Sequence, residues 1–304
     1  MGVNLILMPI NIVIFPLYLY NSNTINLYFY KRRFKMRLIK DVENIPLEDR
    51  SEALRIINKL KMGNRVFGNV SEGLKQTLKK LEDEHEIQVK SKNALDFLDN
   101  DGDFKSQRAK LKAGINGEET LAEYFEQIIK HDKELQDIIL FASLSDPDQN
   151  SGGEEYISDS DFIALYGNNI LILDAKNIPT NPEIPIYLDG DNLVSVGGVT
   201  ILELHPAIYV WRNIMKKNQC RYLSIHGCTV IVNKTGACIW KNQIWHSSEV
   251  KPIHISELVD FLHKWIENKS SDINLSLLIT LAKMQIKKEE SSLDLRNAMK
   301  RFGI

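Results

Sequence analysis

Three charged residues flank two short apolar runs in a pattern that could support catalysis. Asp161 stands directly before one run, and Asp174 and Lys176 follow the next. Side chains two residues apart on a strand share a face, so Asp174 and Lys176 should point in one direction and Ala175 in the other. A tight turn between the runs would bring Asp161 beside Asp174. The spacing therefore predicts two carboxylates and one ammonium group at the open end of a hairpin.

The hairpin itself is predicted from the residues between these charges. Residues 162–165 and 170–173 are apolar, as in buried strands. Tyr166-Gly167-Asn168-Asn169 lies between them and is typical of a tight turn that joins antiparallel strands.

Such a carboxylate pair has a definite chemistry. Two carboxylates at close range repel each other unless a cation or a proton lies between them. Ligands that are all oxygen favour Mg²⁺ or Mn²⁺, which can activate a bound water and offset charge on a phosphoryl oxygen. Lys176 would steer or deprotonate that water, or offset charge in the transition state. The set suits phosphodiester hydrolysis, and the structural alternative is that the charges only cap two apolar strands.

A third carboxylate, Glu118, follows Gly114-Ile-Asn-Gly117 where an amphipathic helix is expected to begin. Two roles are open for it. Glu118 could complete the carboxylate cluster, or it could complement the helix dipole from the first turn. Glu119 is the fallback candidate for the same place in the site.

Three segments together resemble the nuclease-related domain (NERD) family of the PD-(D/E)xK nuclease superfamily. They are Gly114-x-x-Gly117-Glu118, Ser160 to Leu165, and Ile172 to Asn177. The resemblance covers roughly residues 110–235. It implies a restriction-endonuclease-like core, in which Glu118 is the acidic residue of the first core helix and Asp161 binds the metal. Asp174 and Lys176 would form the (D/E)xK element.

The chain departs from the family pattern at three positions. Asp174 stands where glutamate is more common, and Phe162 stands where histidine is common. Tyr209, at the end of His205-Pro206-Ala207-Ile208-Tyr209, occupies a position where glutamine is expected. The last departure affects the final polar contact of the site and leaves the metal ligands intact.

The segments that contain these candidate residues belong to a run of predicted strands with predicted helices before and after it. This arrangement indicates an α/β class. We expect four regions: residues 1–35 as an apolar and basic segment, 36–110 as a charged helical arm, 111–245 as the nuclease-like core, and 246–304 as a helical region. The core is predicted to be a mixed sheet flanked by helices.

Composition excludes several classes of protein. With 304 residues, a net charge of −2 and three cysteines, the chain is typical of a globular protein from a reducing cytoplasm, without a disulfide framework. Its seven histidines show no HxH or HExxH spacing, so a zinc site is not expected. No phosphate loop or serine-hydrolase motif indicates another enzyme class.

The first 35 residues allow three interpretations. An apolar run from Leu5 to Tyr20 is shorter than a membrane-spanning helix needs, and a basic cluster follows it from Lys31 to Lys40. The segment could anchor the protein to a membrane through residues 5–30, or be an extension ahead of a true start at Met36. A cleaved signal peptide fits poorly, because the basic residues follow the apolar run.

The sequence thus predicts a Mg²⁺- or Mn²⁺-dependent nuclease, and the resemblance favours DNA over RNA as substrate. Its catalytic set is Glu118, Asp161, Asp174 and Lys176, with the three carboxylates as metal ligands. The alternative is a nucleic-acid-binding or scaffolding module on a nuclease fold, with little turnover. The helical arm could mediate homo-oligomerisation in either case.

Overall fold

A computed structural model describes the helical and sheet core of the chain. The described residues are 34–60, 66–68, 70, 72–91, 101–144, 160–178, 186–189, 192–194, 200–203, 211–212, 215–216, 223–233, 240–241 and 250–286. The amino-terminal apolar segment, most of 205–217, and the tail after 286 lie outside this set. Within the described set, no helix is both long and apolar enough to cross a membrane.

The secondary structure follows the expected alternation of helices and strands, except that the strands Val66–Phe67 and Val250–His254 lie in regions predicted to be helical (36–110 and 246–304). The helices are α1 (34–41), α2 (Leu47–Lys59), α3 (Glu72–Ser91), α4 (Asp101–His131), α5 (Leu258–Ile266) and α6 (275–286). The strands are β1 (Val66–Phe67), β2 (Ile139–Leu144), β3 (Ser160–Tyr166), β4 (Asn169–Lys176), β5 (Ile186–Asp189), β6 (Asn192–Val194), β7 (Thr200–Glu203), β8 (Ser224–Ile231), β9 (Trp240–Lys241) and β10 (Val250–His254).

Six strands form a central mixed sheet in the order β1-β2-β3-β4-β8-β10. The strands β2, β3 and β4 form an antiparallel meander, whereas β1 pairs parallel with β2, and β8 pairs parallel with both β4 and β10. A separate small sheet has the order β7-β6-β5-β9. The prediction of a mixed sheet flanked by helices is confirmed.

Helices cover both faces of the central sheet because its strands are apolar on both faces. Along β4, Ile170 and Ile172 join a cluster with α1, α2 and α6, together with the buried Trp211. The alternate residues Leu171 and Leu173 join a second cluster with α4 and α5. The core therefore has three layers, helix on sheet on helix.

The predicted turn between β3 and β4 is present. Tyr166 pairs with Asn169, and Gly167 adopts a φ of +58°, a left-handed conformation that glycine adopts without a steric penalty. A Cβ atom at this position would overlap the carbonyl oxygen of Ser270. Glycine is therefore required both by the backbone conformation and by the close approach of the segment before α6.

We expect Gly167→Ala to destabilise the fold by about 1–3 kcal/mol, because it adds strain and a backbone clash at once. The measurement is urea unfolding of the full chain. Gly73→Ala is the matched control, because nothing lies within 4 Å of a Cβ atom at that exposed helical position. Equal unfolding midpoints for the two variants would contradict this account of the turn.

The helix that carries Glu118 is longer than the sequence predicts. It begins at Asp101 and continues without interruption to His131, so it crosses residue 110, where the arm and core were expected to meet. The prediction that Gly114 to Gly117 opens the helix is wrong. These glycines lie inside α4, where the lack of a side chain allows neighbouring elements to approach the helix closely.

The helices α3 and α4 form an antiparallel hairpin, which we call the arm (α3 with residues 101–117 of α4). Near the sheet, a Cβ atom at Gly114 would lie 3.1 Å from Leu74 Cδ1. Farther out, the guanidinium of Arg108 donates to Glu82 at 2.7 Å. Towards the tip, the rings of His85 and Phe104 stack. Of the region predicted as a charged helical arm (36–110), α3 and the start of α4 form this pair, whereas α1 and α2 pack against the central sheet.

Candidate active site

The hairpin places Asp161 and Asp174 together. The pairing of β3 and β4 ends at Phe162 and Leu173. The two aspartates are the next residues beyond this pair, Asp161 on β3 and Asp174 on β4. The backbone N–H of Ala175 donates to Asp161 Oδ2 at 2.7 Å. This hydrogen bond fixes the Asp161 carboxylate against the end of β4, as the predicted geometry requires.

Asp174 and Lys176 share one face of β4, as their spacing predicts. Lys176 Nζ donates to Asp174 Oδ1 at 2.7 Å, and each of the two side chains is 35% exposed. Ala175, between them, packs into the core on the opposite face. The ion pair therefore lies at the surface of the sheet's end, where a substrate could reach it.

Glu118 approaches the same strand end from α4 and is only 7% exposed. A Cβ atom at the preceding Gly117 would lie 3.2 Å from both Asn177 Cβ and Val232 Cγ2, so glycine allows the helix to sit close to the sheet. Asn177 Nδ2 donates to the carbonyl oxygen of Ala113 at 3.2 Å and fastens β4 to the helix.

These contacts decide between the roles proposed for the two glutamates. Glu118 lies deep inside α4, so its interpretation as a first-turn complement to the helix dipole is wrong. Glu119 forms an ion pair with Lys75 of α3, and its side chain is 41% exposed. Glu119 therefore belongs to the contact between the arm helices, and Glu118 is the carboxylate near the strand ends.

Among the residues that the structure describes, the three carboxylates of the cluster outnumber the one ammonium group, that of Lys176, that acts on Asp161. Burial raises the pKa of Asp161 well above its usual range, and the charges of Asp174 and Glu118 raise it further. The ammonium group of Lys176 and the N–H of Ala175 offset this only in part. A cation or a proton at Asp161 would relieve the repulsion.

Lys176 is held in its charged form. Burial acts to lower the pKa of Lys176, but the attraction of Asp174, reinforced by Asp161 and Glu118, outweighs it and raises the pKa. The side chain is thus an ammonium ion at neutral pH. Of the roles considered from the sequence, orienting a water or offsetting charge fits this state, whereas removing a proton from water does not.

The donor set suits a hard divalent cation. Asp161, Asp174 and Glu118 offer only carboxylate oxygens, which Mg²⁺ and Mn²⁺ prefer, and the raised pKa of Asp161 indicates an unmet demand for positive charge. Among the residues that the structure describes, no three His, Cys, Asp or Glu side chains already converge as a ligand set. Asp174 instead contacts Lys176, so the binding of a metal ion would require the carboxylates to reorient.

Two supporting features were not predicted from the sequence. Asn233 Nδ2 donates to the carbonyl oxygen of Ile178 at 3.2 Å, and Asn233 Oδ1 contacts His254 Nε2 at 3.2 Å. On the other side of the site, the indole of Trp211 donates to Ser160 Oγ at 2.6 Å, next to Asp161. These contacts stabilise the strand ends that carry the charged residues. For the first of these features, the available sequence signal was an asparagine shortly after a predicted strand, namely Asn233 after β8.

We expect Gly117→Val to move α4 away from β4, because its methyl groups must enter a contact already at 3.2 Å. Overpacking of this kind costs about 1–3 kcal/mol, which urea unfolding can measure. Gly102→Val in the same helix is the control, since a Cβ atom there has open space around it. The close approach would be refuted if both variants unfolded at the same urea concentration.

The polar segment that ends at Tyr209 lies outside the described residues, so its predicted contact with the site stays a prediction. Comparison with known proteins yields no relative: no protein-family model matches the chain. Likewise, no curated protein and no solved structure is significantly similar to it. The geometry of the four charged residues is therefore the basis for a functional proposal.

Proposed function

We propose that the protein is a metal-dependent nuclease of the PD-(D/E)xK type, with a restriction-endonuclease-like core related to the NERD family. The observation that carries the proposal is the grouping of Asp161, Asp174 and Lys176 at the ends of β3 and β4, with Glu118 near enough for its charge to act on Asp161. Carboxylates that repel each other beside a lysine are costly for a fold, and sites of this kind are typically functional. The central mixed sheet with helices on both faces is compatible with such a core.

Each residue has a role that follows from its chemistry. Asp161 and Asp174 would hold Mg²⁺ or Mn²⁺, and Glu118 would complete the ligand set. Such a cation, when bound, lowers the pKa of water and offsets charge on a phosphoryl oxygen. Lys176, as an ammonium ion, would orient the attacking water and stabilise the negative charge that develops on the phosphate.

The reaction is hydrolysis of a phosphodiester. The water oxygen forms a bond to phosphorus, and one phosphorus–oxygen ester bond breaks. The departing oxygen takes a proton, so the products are a phosphate monoester and an alcohol. DNA is the proposed substrate because the resemblance to the NERD family favours it over RNA.

A nucleic-acid-binding module with little turnover is the second candidate. Two observations favour it: the ion pair between Lys176 and Asp174 engages a proposed metal ligand, and Tyr209 departs from the family pattern. In that case the cluster would shape a binding surface without binding metal.

Cleavage assays separate these candidates. The full chain is incubated with linear duplex, circular and single-stranded DNA, and with single-stranded RNA, in Mg²⁺, Mn²⁺ or EDTA. We expect metal-dependent cleavage that is lost in Asp174→Asn and retained in Glu119→Gln, which alters the neighbouring carboxylate that pairs with Lys75. Absence of cleavage by the unaltered chain, or equal cleavage by Asp174→Asn, would reject the nuclease proposal.

A further inference from the structure

The strand β2 contains one residue in a backbone conformation that is unusual for a strand. Ser143 has a φ of +50°, in the left-handed region that residues other than glycine rarely adopt. In the part of the chain that the structure describes, the only other such residue that is not glycine is Asn268. Asn268 follows the end of α5, where helices commonly have a left-handed residue and asparagine is tolerated. Ser143 lies inside a strand, so this explanation does not apply to it.

Ser143 lies opposite Asp161 in the central sheet. The pairs of β2 with β3 on either side keep one register: Ala142 with Phe162, and Leu144 with Ser160. Residues opposite each other in antiparallel strands have Cα atoms about 4.5–5.5 Å apart. One position beyond the last pair of β3 with β4, the same kind of register places Asp161 next to Asp174. Ser143, Asp161 and Asp174 therefore form one row across three strands.

The residues of this row are accessible where their strands are otherwise buried. Every residue of β2 is buried except Ser143, and every residue of β3 is buried except Asp161. Asp174 is likewise partly exposed between buried neighbours on β4. Because the three residues are neighbours in the sheet, the accessible surface of Ser143 adjoins that of the proposed active site.

The left-handed conformation has a structural consequence that glycine would provide as well. Phe141 and Leu144 join the same apolar cluster, although residues three apart on a regular strand face opposite sides of the sheet. The backbone conformation of Ser143 accounts for this change of face. Glycine adopts such a φ without a steric penalty, whereas serine is strained, and strain of this kind is concentrated at functional sites. The hydroxyl group is therefore the feature that the packing of β2 does not explain.

The hydroxyl group can donate a hydrogen bond in a site that is rich in acceptors. Ionised carboxylates and phosphate oxygens only accept hydrogen bonds, whereas a serine hydroxyl can also donate one. Ser143 lies on the side of Asp161 that faces away from β4, and Lys176 lies on β4 itself. A phosphate held between these residues would have a donor on each side of the two aspartates.

We propose that Ser143 is a substrate-binding residue, whose hydroxyl donates a hydrogen bond to a non-bridging phosphate oxygen of the nucleic acid at the proposed active site. This assignment rests on the proposed function and extends the site from β3 and β4 to β2. The hydroxyl keeps its proton in this role. Ser143 is neither a metal ligand nor a participant in proton transfer.

The test compares Ser143→Gly and Ser143→Ala with Asn268→Gly, which alters the other left-handed residue. Single-turnover cleavage of duplex DNA is measured in Mn²⁺, with the full chain in excess over DNA and below saturation. We expect the second-order rate constant to fall about tenfold or more in both Ser143 variants, because a hydrogen bond to a charged group is lost. It should stay within about twofold in Asn268→Gly. Mn²⁺ affinity, from electron paramagnetic resonance of free Mn²⁺, should be unchanged in all three variants.

Urea unfolding separates this role from a purely structural one. Ser143→Gly removes the strain together with the hydroxyl, so its unfolding midpoint should equal or exceed that of the unaltered protein. Ser143→Ala keeps the strain and should not gain stability. Cleavage by Ser143→Gly at the unaltered rate would overturn the proposal, because only the backbone conformation would then matter. A parallel loss of Mn²⁺ affinity would also overturn it, because Ser143 would then act through the metal ligands.

Failure of this assignment and failure of the nuclease proposal give different results. If the unaltered chain cleaves DNA and both Ser143 variants cleave equally well, only the role of Ser143 is rejected. If no form cleaves DNA, binding of the same duplex is measured in Mn²⁺. A Kd that rises about tenfold in both Ser143 variants, and not in Asn268→Gly, would support the phosphate contact and reject the nuclease. An unchanged Kd would reject both.

Discussion

Lys176→Met is expected to reduce the single-turnover rate of DNA cleavage by about 10²–10³-fold while leaving substrate binding nearly unchanged. The physical reason is that the raised pKa keeps Lys176 charged, so in the proposed mechanism it would hold positive charge beside the phosphate in the transition state. Methionine retains much of the side chain's length and removes that charge. The measurement is cleavage at saturating protein, with duplex binding measured in parallel.

Two controls make this result specific. Lys75→Met removes a lysine that is paired with Glu119 in the arm, and it should leave the saturated rate within a few-fold of the unaltered protein. Lys176→Arg keeps the charge and should retain more activity than the methionine variant. A rate for Lys176→Met equal to that of Lys75→Met would show that the ammonium group has no role in the chemical step.

Asp161→Asn is expected to stabilise the metal-free protein, by about 0.5–2 kcal/mol at neutral pH, and to abolish metal-dependent cleavage. Burial and the charges of Asp174 and Glu118 make the ionised form of Asp161 unfavourable in the fold. Asparagine removes this charge, and its side-chain oxygen can still accept the hydrogen bond from Ala175. A gain in stability joined to a loss of activity is the behaviour expected of a functional residue that strains its fold.

The pH dependence of stability tests the same cause. The folded-state pKa of Asp161 is raised above the unfolded value, so the folded state takes up the proton first as pH falls. Unfolding free energy should therefore rise as pH falls through the folded-state pKa, and this gain should end near the unfolded value of about 4. Urea unfolding in EDTA should show the gain in the unaltered protein and lose it in Asp161→Asn. A variant that is less stable than the unaltered protein throughout this range would contradict the electrostatic account.

Local patterns were sufficient to predict the half of the site that one hairpin forms. The apolar runs and the Gly167 turn predict β3 and β4, and the period of two along a strand predicts that Asp174 and Lys176 share a face. The hydrogen bond from Ala175 to Asp161 and the ion pair of Lys176 confirm the predicted proximity. These relations depend on neighbours in sequence, which is why one sequence reveals them.

The contribution of α4 was predicted less well because it depends on contacts between distant segments. Gly114 and Gly117 were interpreted as the start of a helix, whereas they are inside one and allow Leu74, Asn177 and Val232 to approach. A glycine required for close approach has the same sequence signature as a glycine that ends or begins a helix. The burial of Glu118 beside the strand ends follows only from this packing.

The most direct test of the central claim is Mn²⁺ binding to the full chain, followed by electron paramagnetic resonance of free Mn²⁺. We expect a site that is lost in Asp161→Asn and in Asp174→Asn and is retained in Glu119→Gln, which alters the carboxylate that pairs with Lys75. Its loss should parallel the loss of Mn²⁺-dependent DNA cleavage in the same variants. The absence of Mn²⁺ binding, or binding that both aspartate variants retain in full, would contradict the proposal that these carboxylates form a metal-dependent active site.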